Sequence, residues 1–79
     1  MKALANRRRL AVLRFLKTKK EANVGDIAEE IQLSFKATSK HLGILSAVGI
    51  VDREQRSLQM FYTLSSDMST PTRLIISLL

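Results

Sequence analysis

The sequence has no cysteine and no tryptophan, one proline, one histidine and three glycines in 79 residues. Without cysteine there is no disulfide framework, no thiolate metal site and no thiol-based redox sensing. The absence fits a reducing compartment. The lone imidazole, His41, is one ligand and does not make a metal site. No run approaches the ~20 apolar residues that span a bilayer. The start, MKALANRRRLAVLRFLK, is positive and partly apolar, but Arg7, Arg8, Arg9, Arg14 and Lys17 interrupt it, so it does not read as a secretory signal. These absences predict a soluble, cytoplasmic protein.

Catalytic patterns are missing as well. No Gly-rich phosphate loop and no nucleophile elbow occurs. Ser34, Ser39 and His41 have no orienting acid on their own helix, and the adjacent Glu29 and Glu30 point about 100° apart. The expectation is a non-enzyme without a cofactor.

What the chain does have is unevenly placed charge. Its formal net charge is +6. Residues 1–20 hold eight basic side chains and no acid; residues 21–34 hold four acids and no base. A basic chain attracts polyanions, nucleic acid or an anionic membrane surface among them. At this length the chain forms one small domain with a marginal core, burying about 60% of its unfolded surface.

Apolar periodicity supplies the elements. Asn6 precedes Leu10, Leu13 and Leu16 at helical spacing, which predicts a helix over 6–19. Asn23 and Gly25 interrupt the helical pattern, with Val24 as a short extended piece or the start of the next helix. Ile27 and Ile31 then mark a short helix over 24–31 with Glu29 and Glu30 outward. Ser34 caps a helix over 34–48, in which Thr38, Leu42 and Leu45 share one face. The opposite side of its first two turns shows Lys36, Ala37, Lys40 and His41, with Ser39 at its edge. Gly49 stops this helix. The period then changes to two, giving a hairpin over 50–64 with its turn near Arg56, Ser57 and Leu58. Pro71 opens a terminal helix over 70–79, where Leu74, Ile75, Ile76, Leu78 and Leu79 are apolar on nearly every side. That surface predicts a homodimer through Leu74, Ile75, Leu78 and Leu79.

Two helices joined by a tight turn, then a hairpin, give a mainly α fold with a β-hairpin wing: a single winged helix-turn-helix domain over 1–79. The chain resembles the ArsR/SmtB-type winged-helix repressors, without gaps from about Leu4 to Leu64. The likeness rests on LANRRRLAVLRFL, VGDIAEEIQLS, FKATSKHLGILSAVGIVDRE and LQMFYTL, and above all on SKHLGIL…VGIV…YTL. It implies a dimeric transcriptional regulator, a repressor, that binds double-stranded DNA with the helix after Ser34 in the major groove. Carried over by position, the DNA-facing residues are Ser34, Phe35, Lys36, Ala37, Ser39, Lys40 and His41, with Arg53, Gln55 and Arg56 on the wing.

Three departures qualify the likeness. Asn23 and Gly25 stand where many relatives carry metal-binding cysteines, and the terminal helix has no ligand, so no metal sensing is expected. The front of the chain is shorter than in the family, which shifts dimerisation to the terminal helix. Leu58 occupies the wing tip, where a basic residue suits phosphate better. With Phe35 and the apolar terminus it fits an alternative, a winged-helix protein interaction module. Arg7, Arg8 and Arg9 crowd the positive end of a helix dipole. Either they form a solvated face or that end lies near phosphates.

Overall fold

The computed structural model describes residues 2–79; Met1, the first residue of the expected domain, lies outside the described residues. After a short 3-10 turn at Lys2–Leu4 come helix α1 (Arg7–Lys19), strand β1 (Glu21–Asn23), helices α2 (Val24–Ile31) and α3 (Phe35–Ala47), strands β2 (Val51–Arg56) and β3 (Gln59–Leu64), and helix α4 (Thr70–Ser77).

Single side chains start the helices. The Asn6 carboxamide accepts from the N–H groups of Arg8 and Arg9 at 2.9 and 3.1 Å. Asn23 accepts from Asp26 at 2.8 Å, Ser34 from Ala37 at 3.1 Å and Ser69 from Thr72 at 3.4 Å. Each satisfies a backbone donor that the helix itself leaves open. Asn23 therefore begins α2. Val24 is the first helical residue rather than an extended piece, and Gly25 follows it in the first turn.

Residues with positive φ lie at the ends of α1, α2 and α3. Gln32 (φ 55°, ψ 52°) closes α2, with Leu33 donating to the Ala28 carbonyl at 3.0 Å. The connection from α2 to α3 is thus only Gln32, Leu33 and Ser34. Gly49, at φ 76°, ends the last turn of α3 and lets Ile50 donate to Leu45 at 3.0 Å. No glycine marks the end of α1, yet Lys20 takes φ 75° and turns the chain directly into β1.

That strand is an addition to the expected hairpin. The sheet is antiparallel in the order β1-β3-β2, with Ala22 opposite Tyr62 and Arg53 opposite Tyr62 from the other side. The hairpin turn is Ser57-Leu58, with Ser57 at φ 57°. Alternation gives the sheet two faces. Ala22, Val51 and Tyr62 are buried on one, which packs on the helices. Glu21, Asp52, Glu54, Arg56 and Phe61 lie on the other.

The core joins Val12, Leu13 and Leu16 of α1, Ile27 of α2, Leu42 and Leu45 of α3, Ile50, Val51, Tyr62 and Ile76. In α4 the apolar residues do not point everywhere: Ile76 and Thr72 turn inward, and Leu79 packs partly against the core. Lys17 ties the end of α4 to α1 by donating from Nζ to the Ser77 carbonyl at 2.8 Å. The Thr38 hydroxyl is fully buried without a hydrogen-bond partner among the described residues. An unsatisfied buried hydroxyl is unfavourable. Thr38→Val is therefore expected to raise stability by about 1 kcal/mol in urea denaturation. A loss of that size would show that the hydroxyl is satisfied in solution.

Candidate nucleic-acid interface

Helix α3 carries four distinct surfaces. Thr38, Leu42 and Leu45 form the buried seam. Directly opposite, Lys36, Lys40, Gly43 and Ala47 form an exposed stripe. Phe35, Ser39 and Ser46 lie on one flank; Ala37, His41 and Ile44 lie on the other. Ser34 and Phe35 are exposed at the start of the helix, whereas Ala37, Ser39 and His41 are half-buried. No acidic side chain occurs anywhere on α3. A Cβ built on Gly43 meets nothing within 4 Å, so the fold does not require glycine there.

His41 is not on the outermost face. It follows Thr38 by three positions, which places it beside the seam, and its Nδ1 is enclosed without a partner among the described residues. Desolvation holds its pKa below the ordinary histidine value, and the positive charges of Arg9, Arg8 and Lys40 act in the same direction. A lowered folded pKa means that the unfolded chain takes up the proton more readily. His41 thus contributes stability fully above about pH 6.5 and loses it as pH falls through the folded pKa. The proximity of α1 to this flank of α3 was not expected from the sequence. Its signal was the acid-free first turn with three arginines.

The wing residues separate by the period of two. Arg53 and Gln55 lie on the sheet face that carries Val51 and Tyr62, both exposed beyond the core. Arg56 lies on the opposite face and is already engaged. Its two terminal nitrogens donate to both Glu21 carboxylate oxygens at 2.8 Å, and its Nε donates to Glu54. The guanidinium also sits 4.8 Å from the centre of the Phe61 ring. Glu21 is accordingly held below the usual carboxylate range, by its hydrogen bonds to Arg56 first and by Arg56's charge last. Arg56 is stabilised in its charged form by the same bonds.

Two apolar surfaces remain open. At the wing tip Leu58 is 97% exposed; with Phe35, 63% exposed, it borders a groove of about 330 Å³ lined also by Asn23, Val24, Gly25, Gln59 and Met60. At the end of the chain Leu74 and Ile75 of α4 and Leu78 just after it are exposed.

A support helix, a three-residue turn, a capped helix with a basic outer stripe and a hairpin beside it define a winged helix-turn-helix protein. Residues 6–53 match the family model described as bacterial regulatory protein, arsR family. The chain belongs to the arsR family, whose members are transcriptional regulators and not enzymes. Its residues are 39% identical over 79 positions to transcriptional activator HlyU of Vibrio cholerae serotype O1, covering 100% of this chain and 69% of HlyU. The structure of reduced HlyU from Vibrio cholerae superposes with a TM-score of 0.84 at 40% identity, over 99% of this chain and 78% of that one. Nodulation protein NolR of Rhizobium meliloti is 37% identical over 67 residues, 85% of this chain and 54% of NolR. A homodimeric winged helix-turn-helix DNA-binding domain, Mb0332 of Mycobacterium bovis, has a TM-score of 0.80 at 27% identity, over 98% of this chain and 68% of that one.

Proposed function

We propose that the chain is a homodimeric, sequence-specific regulator of transcription that places α3 in the DNA major groove. The observation that carries this is the outer stripe of α3. Lys36 and Lys40 project from a helix face without acid, and Gly43 keeps that face low where the fold itself has no need of glycine. Glycine in a helix costs about 1 kcal/mol relative to alanine, so close approach of an external partner is its natural explanation. Lys36 and Lys40 supply phosphate or guanine contacts, and Ser34, Ser39 and His41 supply further donors. Ala37 and Phe35 offer apolar contact to thymine methyl groups.

On the wing, Arg53 and Gln55 are the phosphate contacts; Arg56 stays in its network with Glu21 and Glu54. Arg53→Ala is expected to weaken duplex binding about three- to tenfold and to lower the salt slope by about 1. Arg56→Gln should change affinity less than about twofold in the same titration. Equal losses for the two would return Arg56 to the interface.

Dimerisation runs through the exposed Leu74 and Ile75 of α4 and Leu78 just after it, with Leu79 partly turned toward its own domain. The homodimeric relative supports dimerisation as such. Two copies would set half-sites ~34 Å apart. The reading includes no metal sensing, because Asn23 caps α2 and Gly25 has no side chain, so neither replaces a thiolate. Among the described residues no helix is long and apolar enough to cross a membrane. The working compartment of such a regulator is the cytoplasm. Bound over a promoter it represses by occlusion, although HlyU is named an activator.

Selection of bound sequences from random duplex DNA tests the proposal. A palindrome with a salt-dependent affinity is the expected result. A salt-independent affinity, or no enriched sequence, would favour the second reading, in which the groove between Phe35 and Leu58 binds protein.

A further inference from the structure

We propose that the start of α1 is a second phosphate clamp, in which Arg8 grips the DNA strand on the side of α3 away from the wing. This rests on the DNA-binding reading above and adds a residue and a strand to it.

The two flanks of α3 face different neighbours. The Phe35 flank looks toward the wing, since Phe35 shares its groove with Leu58, Gln59 and Met60. The start of α1 lies on the other side: Asn23, Val24 and Gly25 at the beginning of α2 border that same groove, whereas Arg8 bonds to Ile31 at the far end of α2, and the charges of Arg9 and Arg8 bear on His41. A major groove is about 12 Å wide and an α-helix with its side chains is about 10–12 Å across, so a helix seated there has a phosphate backbone on each side. The wing reaches one of these backbones. Arg8 stands on the side of the other.

The side chain is held in that position and remains available. Its terminal nitrogen donates to the carbonyl of Ile31, the last residue of α2, at 3.4 Å. This anchors the guanidinium beside the turn between α2 and α3 and leaves donors of its fork for an anion. Arg8 is exposed and, like Arg7, has no ion pair among the described residues. Arg9 is engaged elsewhere, its Nε donating to the Ala3 carbonyl at 2.7 Å.

The electrostatics of the free protein also call for an anion here. Three arginines occupy the first turn of α1, where the helix dipole favours negative charge, and no acid accompanies them. Lys40 adds to the same positive region, and His41 beside it is held toward its neutral form. A phosphate seated against Arg8 relieves this repulsion and gains a charge-assisted hydrogen bond.

The test is a set of salt titrations on one selected duplex, between about 50 and 200 mM salt, for the wild type, Arg8→Ala, Arg8→Lys and Arg14→Ala. Arg14 is an exposed α1 residue whose loss changes the net charge equally. Arg8→Ala is expected to lose about 1 from the salt slope and about three- to tenfold in affinity, with the preferred bases unchanged. Arg8→Lys should keep the slope, and Arg14→Ala should nearly keep it. Arg8→Ala behaving as Arg14→Ala overturns the clamp alone. A wild type without salt-dependent duplex binding overturns both the clamp and the reading beneath it. Phosphate-ethylation interference on the wild-type chain gives an answer that needs no variant. Interference on both strands beside each half-site supports the clamp; interference confined to the strand beside the wing overturns it.

Discussion

Leu42→Ala is expected to lower the unfolding free energy by about 2–5 kcal/mol, among the largest effects of any single truncation in the chain. Leu42 is 0% exposed and lies on the seam of α3 between Thr38 and Leu45. It joins the helix to the cluster formed by α1, α2 and Ile50. Alanine removes three carbons and leaves a cavity whose walls come from several elements, so collapse is only partial. Domains of this size have about 5–15 kcal/mol in total, and the loss takes a large share of it. In thermal melting the midpoint should fall by more than about 10 °C. Leu42→Met, which nearly keeps the volume, should cost less than about 1.5 kcal/mol. A loss below about 1 kcal/mol for the alanine variant would mean that α3 is held by something other than this seam.

The residues that make this seam were legible because helical spacing reports a buried face without knowledge of its partners. The caps were legible for a similar reason: Asn6 and Ser34 each satisfy a local backbone donor with their own side chain. What failed to show lacked local information. Strand β1 has three residues, too few for a period of two to appear, and it exists because β3 offers an edge. The helix ends at Lys20 and Gln32 use left-handed backbone without the glycine that normally announces it.

The candidate interface divides along the same line. Lys36 and Lys40 follow from their place opposite the seam. His41 lies further in than the polar pattern suggests, although its distance of three residues from Thr38 already sets it beside the core. The separation of Arg53 from Arg56 needed only alternation along β2. The engagement of Arg56 needed more: its partner Glu21 is 35 residues away and comes within reach only through β1. Nothing local announces such a pair. In the same way, the nearness of Arg8 to α3 depends on how α1 crosses the helix-turn-helix.

The folded double variant Lys36→Ala with Lys40→Ala is expected to lose about one to two orders of magnitude in duplex affinity and about 2 from the salt slope. Both side chains are exposed on the outer stripe of α3, one turn apart, and neither has a hydrogen-bond or ion-pair partner among the described residues. Two like charges four residues apart repel each other slightly in the free helix. Their removal should therefore leave stability unchanged or a little higher, which separates loss of binding from loss of fold. Phosphate contacts act on all sequences alike, whereas contacts to guanine edges act on some. Affinity measured on the selected duplex and on an unrelated duplex therefore assigns the two lysines. A parallel drop on both marks them as backbone contacts. A larger drop on the selected duplex marks at least one as reading guanine. Undiminished affinity on both duplexes would remove α3 from the groove, and the stripe of Lys36, Lys40 and Gly43 would need another partner.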